Sequence, residues 1–196
     1  MGPHAQQGPC QQPPNICAAA LGGVGAALSE QKSFEMKNTK EALFGATGKD
    51  AKRLIKQLAV DCEDISLGNP AYPDECIDMI CEILATDAFF TKPGIDYFLF
   101  RTLAEIYKFS EQQKLRILET ITDNYERYSD LDMCWGLGDW IARTYDGGVA
   151  LNVFRSLFNK ATDNGREGIV LGLDVLVRLS KRDPQLIKQV HEIIQS

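Results

Sequence analysis

Four apolar triplets of identical spacing recur between residues 74 and 196, and they restrict the fold more than any other feature. They are Ile77, Ile80 and Ile83; Leu115, Leu118 and Ile121; Leu151, Phe154 and Leu157; and Ile187, Val190 and Ile193, displaced by 38, 36 and 36 residues. The i, i+3, i+6 pattern within each marks one face of a helix, with starts expected near Asp74, Ser110, Gly147 and Asp183. Three further helices are expected between them, from near Gly94, Asp130 and Gly165. Their apolar sets are Phe98, Leu99, Leu103 and Ile106; Cys134, Trp135, Leu137 and Ile141; and Ile169, Val170, Leu173 and Leu176. The punctuation agrees with the periods: Ser110 and Asp183 can accept hydrogen bonds from the free amides of a first turn, Pro184 sits where a helix tolerates proline, and Gly147, Gly148 and Gly165 fall in connections.

A period near 36 residues built from two helices is the signature of a helical solenoid, in which each pair buries its apolar face only by stacking on its neighbour. No tetratricopeptide pattern and no T-P-L-H ankyrin motif is present. Residues 74–196 most resemble a short array of HEAT-like (armadillo-type) repeats. That resemblance implies an all-α fold, a short right-handed α-solenoid of antiparallel helix pairs, and a habit of binding other proteins. The unpaired helix 183–195 would cap it.

Ahead of the repeats, two segments differ in composition. Residues 1–34 hold Pro3, Pro9, Pro13 and Pro14, a glutamine run and a glycine-rich small-residue stretch, and are expected to form a disordered, flexible low-complexity tail. The apolar run there is too short to span a bilayer, and no Lys or Arg precedes it before Lys32, so no secretory signal is expected. Residues 35–73 are expected to contain a leading helix over 49–60, with Ala51, Leu54, Ile55, Leu58 and Ala59 on one face, and then a loop from Asp61 to Pro73 carrying the acidic cluster Cys62, Glu63 and Asp64.

Charge narrows the partners. The formal net charge is -6, and residues 74–145 carry 14 acids against 7 bases, whereas 146–182 carry 4 against 6. Nucleic acids and anionic membranes need a basic footprint, so both are disfavoured and a basic protein partner is favoured. Cys10, Cys17, Cys62, Cys76, Cys81 and Cys134 contain no C-x-x-C pair, and His4 and His191 are the only histidines. We expect reduced, buried thiols in a cytoplasmic protein, with no metal, no cofactor and no small-molecule substrate.

The stretch 130–148, DLDMCWGLGDWIARTYDGG, contains both tryptophans. Some HEAT-like proteins are alkylpurine DNA glycosylases, and Trp135, Asp139 and Arg143 resemble their aromatic platform beside a catalytic carboxylate. That likeness would have Trp135 stack on a damaged nucleotide, Asp139 stabilise a sugar cation and Arg143 hold a phosphate. Against this, Asp174 and Arg178 repeat the D-x-x-x-R spacing 35 residues on, as an i,i+4 ion pair would. Trp135 also aligns with Leu99 and Val170, which marks its position as core. Asp96, Asp132 and Glu167 occupy matching places near three helix starts, where an acid favours the positive end of its helix dipole. Gly136, Gly138, Gly168 and Gly172 each cost a helix about 1 kcal/mol relative to alanine. Close helix packing accounts for them, and so does a partner backbone approaching that surface. The expected function is therefore a non-catalytic interaction module, an adaptor, scaffold or immunity-type inhibitor of a basic protein. Its expected contact residues are Asp96, Tyr97, Asp132, Gly136, Gly138, Trp140 and Arg143.

Overall fold

The computed structural model describes residues 17–67 and 71–196. It is 81% helical, and no strand occurs among the described residues, so the all-α class holds. In chain order the helices are α1 (Cys17–Gly45), α2 (Gly48–Ser66), α3 (Asp74–Ala85), the single turn α4 (Asp87–Phe90), α5 (Ile95–Leu103), α6 (Glu111–Asn124), α7 (Leu131–Thr144), α8 (Gly147–Phe158), α9 (Asp163–Leu179) and α10 (Pro184–Ile194). Each expected start lies within two residues of a helix. Ser110 and Gln113 close a capping box, the Asp183 carboxylate accepts from the Gln185 amide at 3.0 Å, and Pro184 occupies the first turn of α10.

Two expectations for the N-terminal part are corrected. Residues 17–34, assigned to the flexible tail, form the first part of α1; residues 1–16 lie outside the described residues. Alanine and leucine are strong helix formers, and they outweigh the interspersed glycines. The expected loop after residue 60 also begins later, because α2 continues to Ser66. Cys62 and Ile65 extend the apolar face of Leu54, Ile55 and Leu58 by nearly two turns and are buried with Ile55 and Leu58, Leu54 being half-buried. The acidic cluster is consequently helical: Asp61 is buried and accepts from Gln57 Nε2 at 2.8 Å and Thr39 Oγ1 at 3.3 Å, while Asp64 meets Lys32 at 3.1 Å. The turn expected at Gly68, Asn69 and Pro70 lies outside the described residues.

Of the triplets, Ile77, Ile80 and Ile83 and the Leu151 set are wholly buried. Leu115 is exposed, and Ile117, two residues on, joins Leu118 and Ile121 in the core; Ile187 is half-buried. Packing is ordered along the chain. α2 contacts α5, α5 contacts α7 and α7 contacts α9, while α3 packs on α6 and α10 on α8 and α9. Contact positions rise together in the first series: Phe100 lies at Gly136 and Leu103 at Trp140, then Cys134 at Gly168 and Gly138 at Gly172. α5, α7 and α9 run in the same direction, with contacting residues 30 to 37 positions apart. The segment joining α6 to α7 is tied both ways: Tyr128 Oη donates to the Leu84 carbonyl (2.8 Å) and Arg127 to Asp87 (2.7 Å), while Tyr125 Oη donates to the Gly165 carbonyl (3.1 Å).

The closest approach is between α7 and α9, and glycine makes it possible. A Cβ on Gly138 would stand 2.8 Å from the Gly168 carbonyl carbon and still closer to its oxygen; one on Gly168 would overlap the Cys134 backbone, and one on Gly172 would lie 2.7 Å from the Gly138 oxygen. These neighbours are backbone and cannot swing aside. A Cβ on Gly136 meets only the Phe100 ring, which can. Gly168→Ala and Gly138→Ala should therefore each destabilise by about 2 kcal/mol, the overlap exceeding the helix-propensity gain of about 1 kcal/mol. Gly136→Ala should cost less. Urea unfolding of the three variants gives the order, and equal midpoints would refute the close-approach account.

Candidate functional site

α7 carries the central stripe of the candidate surface. Its apolar side, Met133, Cys134, Leu137, Trp140 and Ile141, faces the core. The opposite stripe runs Asp132, Trp135, Gly136, Asp139 and Arg143 at successive i+3, i+1, i+3 and i+4 steps. Asp130 caps the helix by accepting from the Met133 amide at 2.9 Å, which fixes where Asp132 and Trp135 emerge.

Trp135 is 41% exposed, as is Val170 at 40%, although Leu99 at the equivalent place in α5 is fully buried. The expected core role of Trp135 is thus corrected. α5 is only nine residues long, and the side it turns to α7 differs, so Phe100 rather than Leu99 lies beside Gly136.

Trp140 is corrected in the opposite direction. Expected to contact a partner, it is 8% exposed, its indole N–H donates to the Leu103 carbonyl at 3.3 Å, and its ring packs edge-on to Tyr145 with centroids 5.6 Å apart. An indole one residue from the apolar stripe, with a carbonyl in reach, is absorbed into the core. Gly136 and Gly138 likewise lie in helix packing, under Phe100 and α9 respectively. None of these three is presented to a partner.

The remaining expected contact residues are on the surface. Asp96 and Asp132 line one groove of about 400 Å³ with Lys92, Gly94, Asp130 and Met133. Lys92 lines the same groove, and its ammonium donates to the Phe44 and Ala46 carbonyls at 2.9 and 2.6 Å at the C-terminal end of α1. Tyr97 is 42% exposed and its hydroxyl accepts from Arg101 at 2.6 Å, while Arg101 also pairs with Glu63 across α2 and α5. Arg143 is held by Asp139, its Nε 2.9 Å from both carboxylate oxygens; Arg178 and Asp174 form the same pair at 2.7 Å. The carboxylate singled out by the glycosylase resemblance is therefore engaged by a guanidinium on its own helix, in a pattern that α9 duplicates.

Elsewhere, burial governs the ionisable groups. Among the described residues Cys62, Cys76, Cys81 and Cys134 are free and buried, with Cys62 donating to Met36 Sδ at 3.4 Å. Burial pushes Cys134 up to about 12 and raises Cys81; contact with Cys76, then burial, raises Cys62. Tyr72, Tyr125, Tyr128 and Tyr145 are also raised, chiefly by burial. Among the described residues, no group of three or more His, Cys, Asp or Glu could hold a metal ion, and no helix is long and apolar enough to cross a membrane. Glu63, Arg101 and Glu105 border a smaller cleft of about 260 Å³ between α2 and α5, which sequence reasoning missed because it treated Glu63 as a loop residue.

Two outcomes follow from the buried acids. Iodoacetamide at pH 8 should leave Cys62, Cys76 and Cys134 unmodified in the native protein and label them in urea, as read by peptide mass mapping. Folding favours the neutral forms of Cys62, Cys81, Cys134 and the four buried tyrosines, so that their contribution is complete below the unfolded values of about 9 for thiols and 10 for phenols and is lost as pH rises from there towards the raised folded values. The melting temperature should fall between pH 8 and 11; a flat profile would contradict the burial of these groups. Comparison with protein-family models, with curated proteins and with solved structures finds no match to this chain.

Proposed function

We propose that the protein is a non-catalytic binding module, a short right-handed stack of antiparallel helix pairs similar to HEAT repeats, whose α5–α7–α9 face docks a basic protein. The observation that carries the reading is the exposure of Trp135 between Asp132 and Asp139 on a helix whose other side is locked to α9. A large aromatic held in water on a rigid element gains by covering, and tryptophan is the residue most often found dominating an interface. Charge supports the partner's sign: Asp96, Asp130 and Asp132 share one groove, against the single cation Lys92 among its lining residues. The stack is supported by the same-direction succession α5, α7, α9 and by side-chain bonds that join residues 37 to 44 positions apart, such as Trp140 to Leu103 and Tyr128 to Leu84. An adaptor or an inhibitor of a basic protein would each use such a face, and the acidic groove would speed its association at low salt.

Affinity capture from the native source, with quantitative mass spectrometry, tests the reading. Trp135→Ala should weaken retention of a basic partner by 2 kcal/mol or more, roughly 30-fold, with unfolding unchanged, because the side chain lies outside the core. Retention indifferent to Trp135 would overturn the assigned face. Excision of alkylated bases, abolished in Asp139→Asn and kept in Asp174→Asn, would overturn the non-catalytic reading in favour of the glycosylase one.

A further inference from the structure

Away from the α5–α7–α9 face, three sulfur atoms converge in the core between the first helices. Met36 on α1, Cys62 on α2 and Cys76 on α3 are 1%, 0% and 0% exposed. The Cys62 thiol donates to the Met36 thioether, Sγ to Sδ 3.4 Å, and the Cys76 Sγ lies 3.9 Å from the Cys62 carbonyl oxygen. The two thiols also contact each other. Each sulfur comes from a different helix, Met36 and Cys62 being 26 residues apart and Cys62 and Cys76 14 apart. No spacing along the chain reveals such a set, which is why the sequence gives no sign of it.

Methionine and free cysteine both serve as apolar filler, and packing alone would bury them. Packing does not require three sulfurs to meet, however, and a dry pocket of thiol and thioether donors has a definite chemical preference. Oxygen-seeking cations such as magnesium and calcium take carboxylates, carbonyls and water, whereas thiolate with thioether suits a soft ion. Structural zinc completes a tetrahedron of four nitrogen, thiolate or carboxylate ligands, and among the described residues no group of even three His, Cys, Asp or Glu is gathered. A cuprous ion is satisfied by three sulfurs. With a metal–thiolate bond of about 2.3 Å, the zinc value, three sulfurs around one ion stand about 4 Å from each other. Met36 and Cys62, at 3.4 Å, would separate by only about half an ångström to reach that spacing.

We propose that Met36, Cys62 and Cys76 form a binding site for one cuprous ion, held by two thiolates and one thioether. Binding breaks both S–H bonds, and the two protons leave to solvent as two copper–sulfur bonds form. The thioether supplies the third bond from a lone pair, and copper stays cuprous throughout. The raised Cys62 thiol does not oppose this, because a coordinated thiol is deprotonated by the charge of the ion itself. Since none of the sulfurs is more than 1% exposed, loading requires a local opening of α1 from α2 and α3, and the loaded site ties those three helices together. The site is separate from the proposed binding face, so neither depends on the other.

The full chain carrying Cys10→Ser and Cys17→Ser, which removes two other thiols, is titrated with Cu(I) under anaerobic conditions against a chromophoric Cu(I) chelator. One ion per chain should be retained, its X-ray absorption fine structure should show sulfur neighbours alone, and the melting temperature should rise. Met36→Leu conserves volume, so without copper it should move the melting temperature by no more than about 5 °C, yet it should weaken copper binding at least tenfold. Cys76→Ala should abolish binding, and Cys81→Ala should leave it intact. Copper lost wholly to the chelator, or retained equally by the parent, Met36→Leu and Cys76→Ala, would overturn the site. Nitrogen or oxygen neighbours in place of the thioether would do the same. So would a Cys62–Cys76 disulfide found by peptide mass mapping where bound copper is expected.

Discussion

The contact between the backbones of α7 and α9 sets the placement of everything on the candidate surface. Side chains normally keep helix axes 8 to 10 Å apart. Here Gly138, Gly168 and Gly172 remove them along one line, so carbonyl oxygen meets α-carbon directly. Each glycine costs its helix about 1 kcal/mol in an isolated peptide, and the return is a register with little freedom to slide. The contacts pair residues 30 and 34 positions apart, so the repeated D-x-x-x-R pairs of α7 and α9 lie on neighbouring helices that run in the same direction. A similar shift recurs between α5 and α7, where Phe100 fills the space that Gly136 leaves and the Trp140 indole reaches the Leu103 carbonyl.

Helix positions were legible in the sequence because they depend on local signals. Triplets such as Ile77, Ile80 and Ile83 and caps such as Ser110 and Asp183 are read from a few neighbouring residues, and the structure places them as expected. What could not be read is which side of each helix meets which neighbour. Trp135 and Trp140 show this plainly: both fall near the edge of the apolar arc of α7, and a neighbouring carbonyl from α5 decides that one is buried and the other not. Leu115 and Ile117 exchange roles for the same reason. The extension of α2 through Cys62 and Ile65 was hidden by Glu63 and Asp64, whose charge suggested a loop but which find partners in Arg101 and Lys32 on other helices. The ion pair Asp139–Arg143 was foreseen, since i,i+4 spacing alone creates it.

Six of the nine arginines are compensated locally. Arg101, Arg116, Arg127, Arg143, Arg166 and Arg178 each meet a carboxylate, and such exposed pairs contribute little to stability individually.

The bonds that fasten the segment between α6 and α7 carry a mechanical consequence. In a row of helices, bending is concentrated at the connections, where few apolar contacts resist it. Residues 125–128 are instead anchored backward to Leu84 and Asp87 and forward to Gly165, through a buried phenol on each side. A load that would open the row on one edge must stretch a hydrogen bond shielded from water, so this joint is stiff where others would be compliant. The angle between α6 and α7 is thereby set by the fold itself, and any partner of the proposed face would meet a surface that needs little reshaping.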